Sequence, residues 1–404
     1  MNKCKVSLVT IIVLLSTPLL SGVTWAFHEG GEGYCEGCHT IVGSPENQDW
    51  STGESSDGSS ATLILKGSDP SSTCLRCHAE RGADHSVLSN DGSRFTPGGD
   101  FYWLQKTFSW TVEGLSYQSR GDSHGHNIVA LGYGLDPDER LSQAPGGSYP
   151  SAALGCTSCH DPHAKTTGNG ENLVMTPVPS SYGSYGEEPS TGTPPGTFRL
   201  LGGVGYAGGQ LPSGVTFRFP APIAEASPFG WTETDSNHTA YGSGMSEWCA
   251  NCHRGFLNGS TAGVAGKHPA GNGAKIPAEI SNNYNSYEGT GHVGGGQASA
   301  YLALVPFEVD ATSRSLLDPS SSSGTGAAGN ANVMCLTCHR AHASAFPNVG
   351  RWDLKTTFMA DSHPKAGDGG ASGLDVLHSY YGRDMISEFG KSQRQLCNKC
   401  HRKD

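Results

Sequence analysis

Loops and short helices with very little sheet, wrapped around a shared core that side chains do not supply, form the fold class this sequence predicts. Three observations lead to it. Only 35% of the 404 residues are hydrophobic and 57 are glycine, against about 45–50% apolar residues in ordinary globular domains. Seven Trp, fourteen Tyr and thirteen Phe argue against a wholly unfolded chain, in which aromatics are scarce. Twelve of the thirteen cysteines fall into six pairs of a single spacing, which gives the chain something to fold around.

The chain starts Met1-Asn2-Lys3-Cys4-Lys5, continues with an apolar run from Val6 to Leu20 and reaches Val23-Thr24-Trp25-Ala26. A charged start, an apolar middle and a small residue at the cut are the pattern of a secretory signal peptide. Cleavage after Ala26 divides the chain into a leader, 1–26, and a single domain, 27–404. An uncleaved anchor fits less well, because the run is shorter than the ~20 residues of a spanning helix and meets Pro18 and Gly22. Cys4 precedes the run, so it is not placed as a lipoprotein cysteine. No later segment is apolar enough to span a bilayer, and the domain is expected outside the cell, at the outer cell surface or in the periplasm. The formal charge of −11 becomes more acidic once Lys3 and Lys5 leave. Such a surface repels nucleic acid and anionic lipid.

Each cysteine pair is spaced C-x-x-C and is followed at once by histidine: Cys35, Cys38 and His39; Cys74, Cys77 and His78; Cys156, Cys159 and His160; Cys249, Cys252 and His253; Cys335, Cys338 and His339; Cys397, Cys400 and His401. Two thiols at this spacing add across the two vinyl groups on one edge of a haem, and the next residue's imidazole reaches the iron from one face. Zinc would need two pairs to share an ion and gives no reason for a histidine after each. Dithiol redox motifs come singly in a βαβ setting, which this glycine-rich chain does not offer. With 17 histidines in 404 residues, six chance placements after six pairs are not a workable alternative. The motifs therefore imply six covalently bound haems c, with the histidines as proximal iron ligands. That is too little chain for a domain around each haem, so the haems form one shared core. Short helices are expected at several motifs, and a short strand pair near Thr216-Phe217-Arg218-Phe219. The glycine- and serine-rich stretches 51–60, 180–197 and 320–331 read as surface loops.

Eleven histidines lie outside the motifs: His28, His85, His124, His126, His163, His238, His268, His292, His342, His363 and His378. Six irons need at most six of them, and an iron with histidine on both faces has no open position for a substrate. His163 and His342 each follow a motif histidine by three residues, too close to sit on opposite faces of the same iron. They are expected to ligate neighbouring haems and so to force close haem packing. His85, His126 and His268 are the other expected distal ligands. For the remaining histidines an exposed or hydrogen-bonding role is expected.

The chain resembles the extracellular hexahaem nanowire c-type cytochromes of metal-reducing bacteria. The likeness is carried by Phe27-His28, Cys35-Glu36-Gly37-Cys38-His39-Thr40, Gly125-His126-Asn127-Ile128-Val129-Ala130, His160-Asp161-Pro162-His163, Gly244-Met245-Ser246-Glu247-Trp248-Cys249, His268-Pro269-Ala270-Gly271, Arg340-Ala341-His342-Ala343-Ser344, Tyr380-Tyr381-Gly382-Arg383 and Leu396-Cys397-Asn398-Lys399-Cys400-His401. It implies a continuous chain of low-spin haems with histidine on both faces, in subunits that join head to tail as a filament outside the cell. Other multihaem cytochromes and extracellular acceptors such as metal oxides or electrodes are the implied partners. One departure stands out. Where the family has a histidine that ligates a haem of the adjacent subunit, three residues after the first motif histidine, this chain has Val42. His28 is the expected replacement, with His238 or His378 behind it, or else one haem is five-coordinate.

Three functions compete on this reading. The leading one is electron transfer by a filament-forming cytochrome; a monomeric periplasmic or surface shuttle is the second, and a multihaem reductase with one open iron the third. The supply of distal histidines disfavours the reductase, and no side chain is assigned as acid, base or nucleophile.

Overall fold

The computed structural model describes residues 35–42, 48–49, 54–55, 62–79, 86–162, 198–207, 211–212, 214–227, 232–257, 269–326 and 329–402. Among them the helices are α1 (Cys35–Cys38), α2 (Pro70–His78), α3 (Met245–Cys249), α4 (Ala278–Ser286), α5 (Cys335–Cys338), α6 (Gly373–Ser379) and α7 (Met385–Phe389). The strands are β1 (His39–Val42), β2 (Gln48–Asp49), β3 (Glu54–Ser55), β4 (Thr62–Leu65), β5 (Phe108–Val112), β6 (Leu115–Ser119), β7 (Ala224–Glu225), β8 (Ala240–Tyr241), β9 (Glu308–Val309) and β10 (Ala331–Asn332). No described helix is long and apolar enough to cross a membrane.

The expected class holds, and helical structure stands at all six motifs. α1, α2, α3 and α5 carry motif residues, and 3₁₀ turns cover Cys156–Ser158 and Leu396–Lys399. α2 shows why such short helices form. Asp69 caps it, accepting from the Ser72 amide at 2.7 Å, and Pro70 occupies the first turn, where a missing N–H costs nothing. Leu75 is its buried anchor.

Sheet is confined to hairpins and one small sheet. β1 pairs antiparallel with β4, and Val42 sits opposite Thr62. β5 and β6 form the longest hairpin, turning at Glu113 and at Gly114, whose φ of +80° suits glycine. The small sheet has the order β10-β9-β8-β7 and lies beside α3 and α5.

The expected strand pair at Thr216–Phe219 does not form. Gly205 and Tyr206 exchange backbone bonds with Phe217 alone, and the next two amides, Arg218 and Phe219, donate to the Asn251 side chain. A ladder cannot extend once its donors are taken. The stretch 320–331 is a loop in its described part up to Ala331, which opens β10, although Thr325 is buried and bonded to Ser281; the described part of 51–60 is strand β3, paired with β2, and not loop, and 180–197 lies outside the described residues.

Each cluster of buried apolar side chains abuts motif cysteines. The largest, with Trp103, Phe108, Phe346 and Trp352 at its centre, packs against Cys156, Cys338, Cys397 and Cys400. A second, around Tyr241, Met245 and Met334, meets Cys249, and a third, around Tyr206 and Phe217, meets Cys252. Among the described residues, every apolar cluster meets at least one motif cysteine.

Candidate haem-binding site

Motifs 2 to 6 adjoin one another in chain order, and motif 1 adjoins the segment that leads into motif 2. Motif 1 is tied to the approach to motif 2 through β1 and β4 and by the Lys66 amide donating to Cys38 O at 2.9 Å. The Cys74 and Cys156 thiols of motifs 2 and 3 are close neighbours. Cys159 lies within electrostatic reach of Cys252, joining motifs 3 and 4. Cys249 and Cys335 are close neighbours, joining 4 and 5, and Cys338 adjoins both cysteines of motif 6.

A local device repeats along this succession. The Cys156 amide donates to Ser71 Oγ at 3.1 Å, and the Cys335 amide to Ser246 Oγ at 3.0 Å. Each serine precedes the first cysteine of its own motif by three residues and caps the start of the next. The pattern S-x-x-C-x-x-C-H in motifs 2 and 4 was the signal for this docking, and sequence reasoning passed over it.

Motifs 3, 4 and 5 face a cavity of about 840 Å³ lined by five of their cysteines, all but Cys156, and by their histidines together with His126, His342 and Trp248, at the large end of the usual ~300–1,000 Å³ for small-molecule sites. His342 lies opposite His160 with ring centroids 6.3 Å apart, and His126 opposite His253 at 5.9 Å. Metal–nitrogen bonds of ~2.0 Å plus the radius of each ring would place two imidazoles on one iron with centroids about 6 Å apart.

Ring orientation is set from behind. His160, His253 and His339 direct Nδ1 to the carbonyl oxygens of Arg199 at 2.7 Å, Pro145 at 2.8 Å and Asn348 at 2.8 Å. His126 does so to Ala341 at 2.7 Å and His378 to Asp91 at 2.6 Å. A donating Nδ1–H fixes the tautomer and leaves Nε2 for a metal, the arrangement of ligating histidines. The receiving backbone is strained: Arg199, Leu200, Asn348 and Val349 all have φ between +51° and +58°. Four non-glycine residues in the left-handed region, a β-branched one among them, mark a place where structure is held for function.

His126 and His342 sit on crossing backbones. The His126 amide donates to His342 O and the His342 amide to Gly98 O. Glycine is required here: a Cβ on Gly125 would stand 2.4 Å from His342 O, and one on Gly98 2.8 Å from His342 Nδ1. Burial lowers His342 to about 3 and His126 to about 4, with neighbouring histidines adding to the effect. His160 and His339 are lowered for the same first reason. All four are therefore neutral imidazoles near neutral pH, the form that binds iron.

Not every buried histidine has this geometry. His124 is held at both ring nitrogens, by Trp103 O and Ser119 Oγ. His238 is held by the carbonyls of Thr239 and Ser321 and stacks on Tyr301, which leaves it no nitrogen for a metal. His363 has Nδ1 on Asp368, five residues on, at 2.7 Å and stacks on Trp110, a carboxylate-backed orientation that sequence reasoning missed because the turn that brings Asp368 back to the ring is set by the fold. His28, His85, His163 and His268 lie outside the described residues.

Behind motif 5 is a buried ion cluster. Glu233 accepts from Arg340 Nη1 at 2.7 Å and Arg351 Nη1 at 3.0 Å. Burial alone would raise the Glu233 carboxyl, and the two guanidiniums more than reverse this, leaving it below its usual range. Arg351 also donates Nε to Leu336 O and His339 O, fastening both ends of the motif.

No family model matches the chain. The C-type cytochrome OmcS of Geobacter sulfurreducens is 38% identical over 436 aligned positions that cover 100% of this chain and 99% of that protein. The chain belongs to the OmcS family of c-type cytochromes. The fold agrees: the outer membrane cytochrome S filament from Geobacter sulfurreducens superposes with a TM-score of 0.75 at 38% identity, covering 94% of this chain and all of that one. A cryo-EM structure of OmcS nanowires gives 0.74 at 37% identity with the same coverage. As a c-type cytochrome of the OmcS family the protein binds haem covalently, and its cysteines, imidazoles and cavity fit that group.

Proposed function

We propose that the protein carries electrons through six haems c, one at each motif, and that its copies join head to tail in an extracellular filament delivering electrons to acceptors such as metal oxides or electrodes. The observation that carries this reading is the succession of motifs 2 to 6, in which each adjoins the next in chain order. Bound there, haem c supplies a one-electron iron couple. The chain's part is to tether, ligate and orient: the twelve motif cysteines attach, and the six motif histidines ligate from one face.

His342 shares an iron with His160, and His126 one with His253, as their ring separations support. His342 thus serves motif 3 although it lies beside motif 5, which locks neighbouring haems together. His85, His163 and His268 are assigned as further distal ligands and His28 as the sixth. His378 is the stronger substitute for His28, since His238 has both nitrogens engaged. Irons held on both faces leave no position for a substrate, so the protein is a carrier and not a reductase. Residues 1–26 direct export and are removed.

The filament reading rests on the relatives, whose solved assemblies are a filament and nanowires, and on the rule that a head-to-tail contact that does not close makes a fibre. With valine at 42, the bridge between subunits is rebuilt from another histidine. Electron microscopy of the haem-loaded protein, with its oxidised and reduced absorption spectra, tests this. Micrometre filaments with wholly low-spin haem are expected; dispersed particles with a high-spin band would favour a shuttle or a reductase.

A further inference from the structure

Between motifs 4 and 5 the structure buries oxygen acceptors that nothing satisfies. Glu308 on β9 is 0% exposed, and neither carboxylate oxygen has a hydrogen-bond partner. The Met245 amide lies near it but makes no hydrogen bond to it. Asn332 on β10, also 0% exposed, is the cross-strand partner of Glu308 and leaves Oδ1 unpartnered. Directly opposed strand residues project to the same face with Cβ atoms about 5 Å apart. Glu247 on α3 has its Oε2 buried without a partner and lies near enough for its charge to act on Glu308. One fully buried carboxylate, the buried oxygen of a partly buried one and an amide oxygen, with four lone acceptors among them, are costly unless something supplies donors or positive charge.

We infer that Glu308, Glu247 and Asn332 bind a divalent cation, Ca²⁺ in preference to Mg²⁺, that clamps motif 4 to motif 5. The donor set is all oxygen, the preference of hard cations. Ca²⁺ takes 6–8 oxygens at flexible geometry and accepts a bidentate carboxylate, whereas Mg²⁺ demands a near-octahedral shell and keeps its waters. Two carboxylates balance the charge of the ion. The remaining Glu247 oxygen is already committed to the Asn272 amide at 2.9 Å, which holds the side chain in place. Glu247 precedes Cys249 by two residues and Asn332 precedes Cys335 by three, so the ion joins the two haem-bearing helices where their cysteines meet.

The competing explanation is a proton held between Glu308 and Glu247. The haem-loaded protein, stripped with a chelator and dialysed, is titrated with CaCl₂ by calorimetry, and its bound calcium is measured by elemental analysis. About one Ca²⁺ per chain and a rise in Tm with added calcium are expected, with both lost in Glu308→Gln and kept in Glu279→Gln, an exposed carboxylate on α4. Absence of bound calcium in the wild-type protein at millimolar CaCl₂, or equal binding by Glu308→Gln, would overturn the site. If Glu308→Gln does not fold, the wild-type titration alone decides.

Discussion

A buried charge is tolerated only while its partner remains, and Glu233 is the clearest case in this protein. It holds two guanidiniums that touch motif 5, so Glu233→Gln leaves two buried cations facing a neutral amide. Removing one partner of a buried pair costs about 3–5 kcal/mol. Chemical denaturation followed at the Soret band should show a loss of that order, with motif 5 disturbed first. Histidines divide by the same logic of partners. His342→Ala should convert about one haem in six to high spin, because the iron facing His160 loses its second imidazole. His124→Asn should lower stability by about 1–2 kcal/mol through two lost hydrogen bonds and leave the spin state alone. A high-spin band in the second variant, or none in the first, would reverse these assignments.

At the scale of the element, α2 depends on its cap. Asp69 receives hydrogen bonds from Ser72 Oγ and from the Ser72 and Leu131 amides. Burial raises its carboxyl, these bonds lower it by more, and the result lies below the usual value. Its contribution is therefore full above the unfolded pKa of about 3.9 and is lost as pH falls through the lower folded value. Asp69→Ala should cost about 1 kcal/mol near pH 7 and flatten the acid limb below about pH 4. Melting curves from pH 7 to pH 3 measure both effects. Asp69→Asn should keep most of the cap and lose the pH dependence. The element scale also shows how motifs dock, since Ser71 and Ser246 each cap the following motif. Helices of four to nine residues are too short to persist alone; here they are held by caps, serine bridges and the thiols that become tethers.

Across the whole molecule, the apolar clusters of the described residues end on motif cysteines. Polymerisation belongs to this scale too. If His28 supplies the bridging ligand that Val42 cannot, His28→Ala should give one high-spin iron and short or absent filaments under the electron microscope, and His378→Ala should leave them unchanged. Normal filaments from His28→Ala together with their loss in His378→Ala would move the bridge to His378.

Composition and spacing by themselves determined the class: too few apolar residues for an ordinary core, and six C-x-x-C-H motifs whose chemistry names the cofactor and its proximal ligands. Those signals are covalent and local, so they survive without a fold. The spacing of His339 and His342 also pointed to a ligand for a neighbouring haem, because three residues cannot span an iron. The order of the motifs, the placing of His342 opposite His160 and of His126 opposite His253, and the removal of His238 from the list of ligands were decided only by the tertiary structure. These depend on which backbone carbonyl stands behind each ring, and Arg199, Pro145 and Asn348 reach their histidines from 9 to 108 residues away in the chain. Thr216–Phe219 teaches the same lesson from the other side, since its alternating aromatics read as a strand until the Asn251 side chain takes the amides that a strand would need.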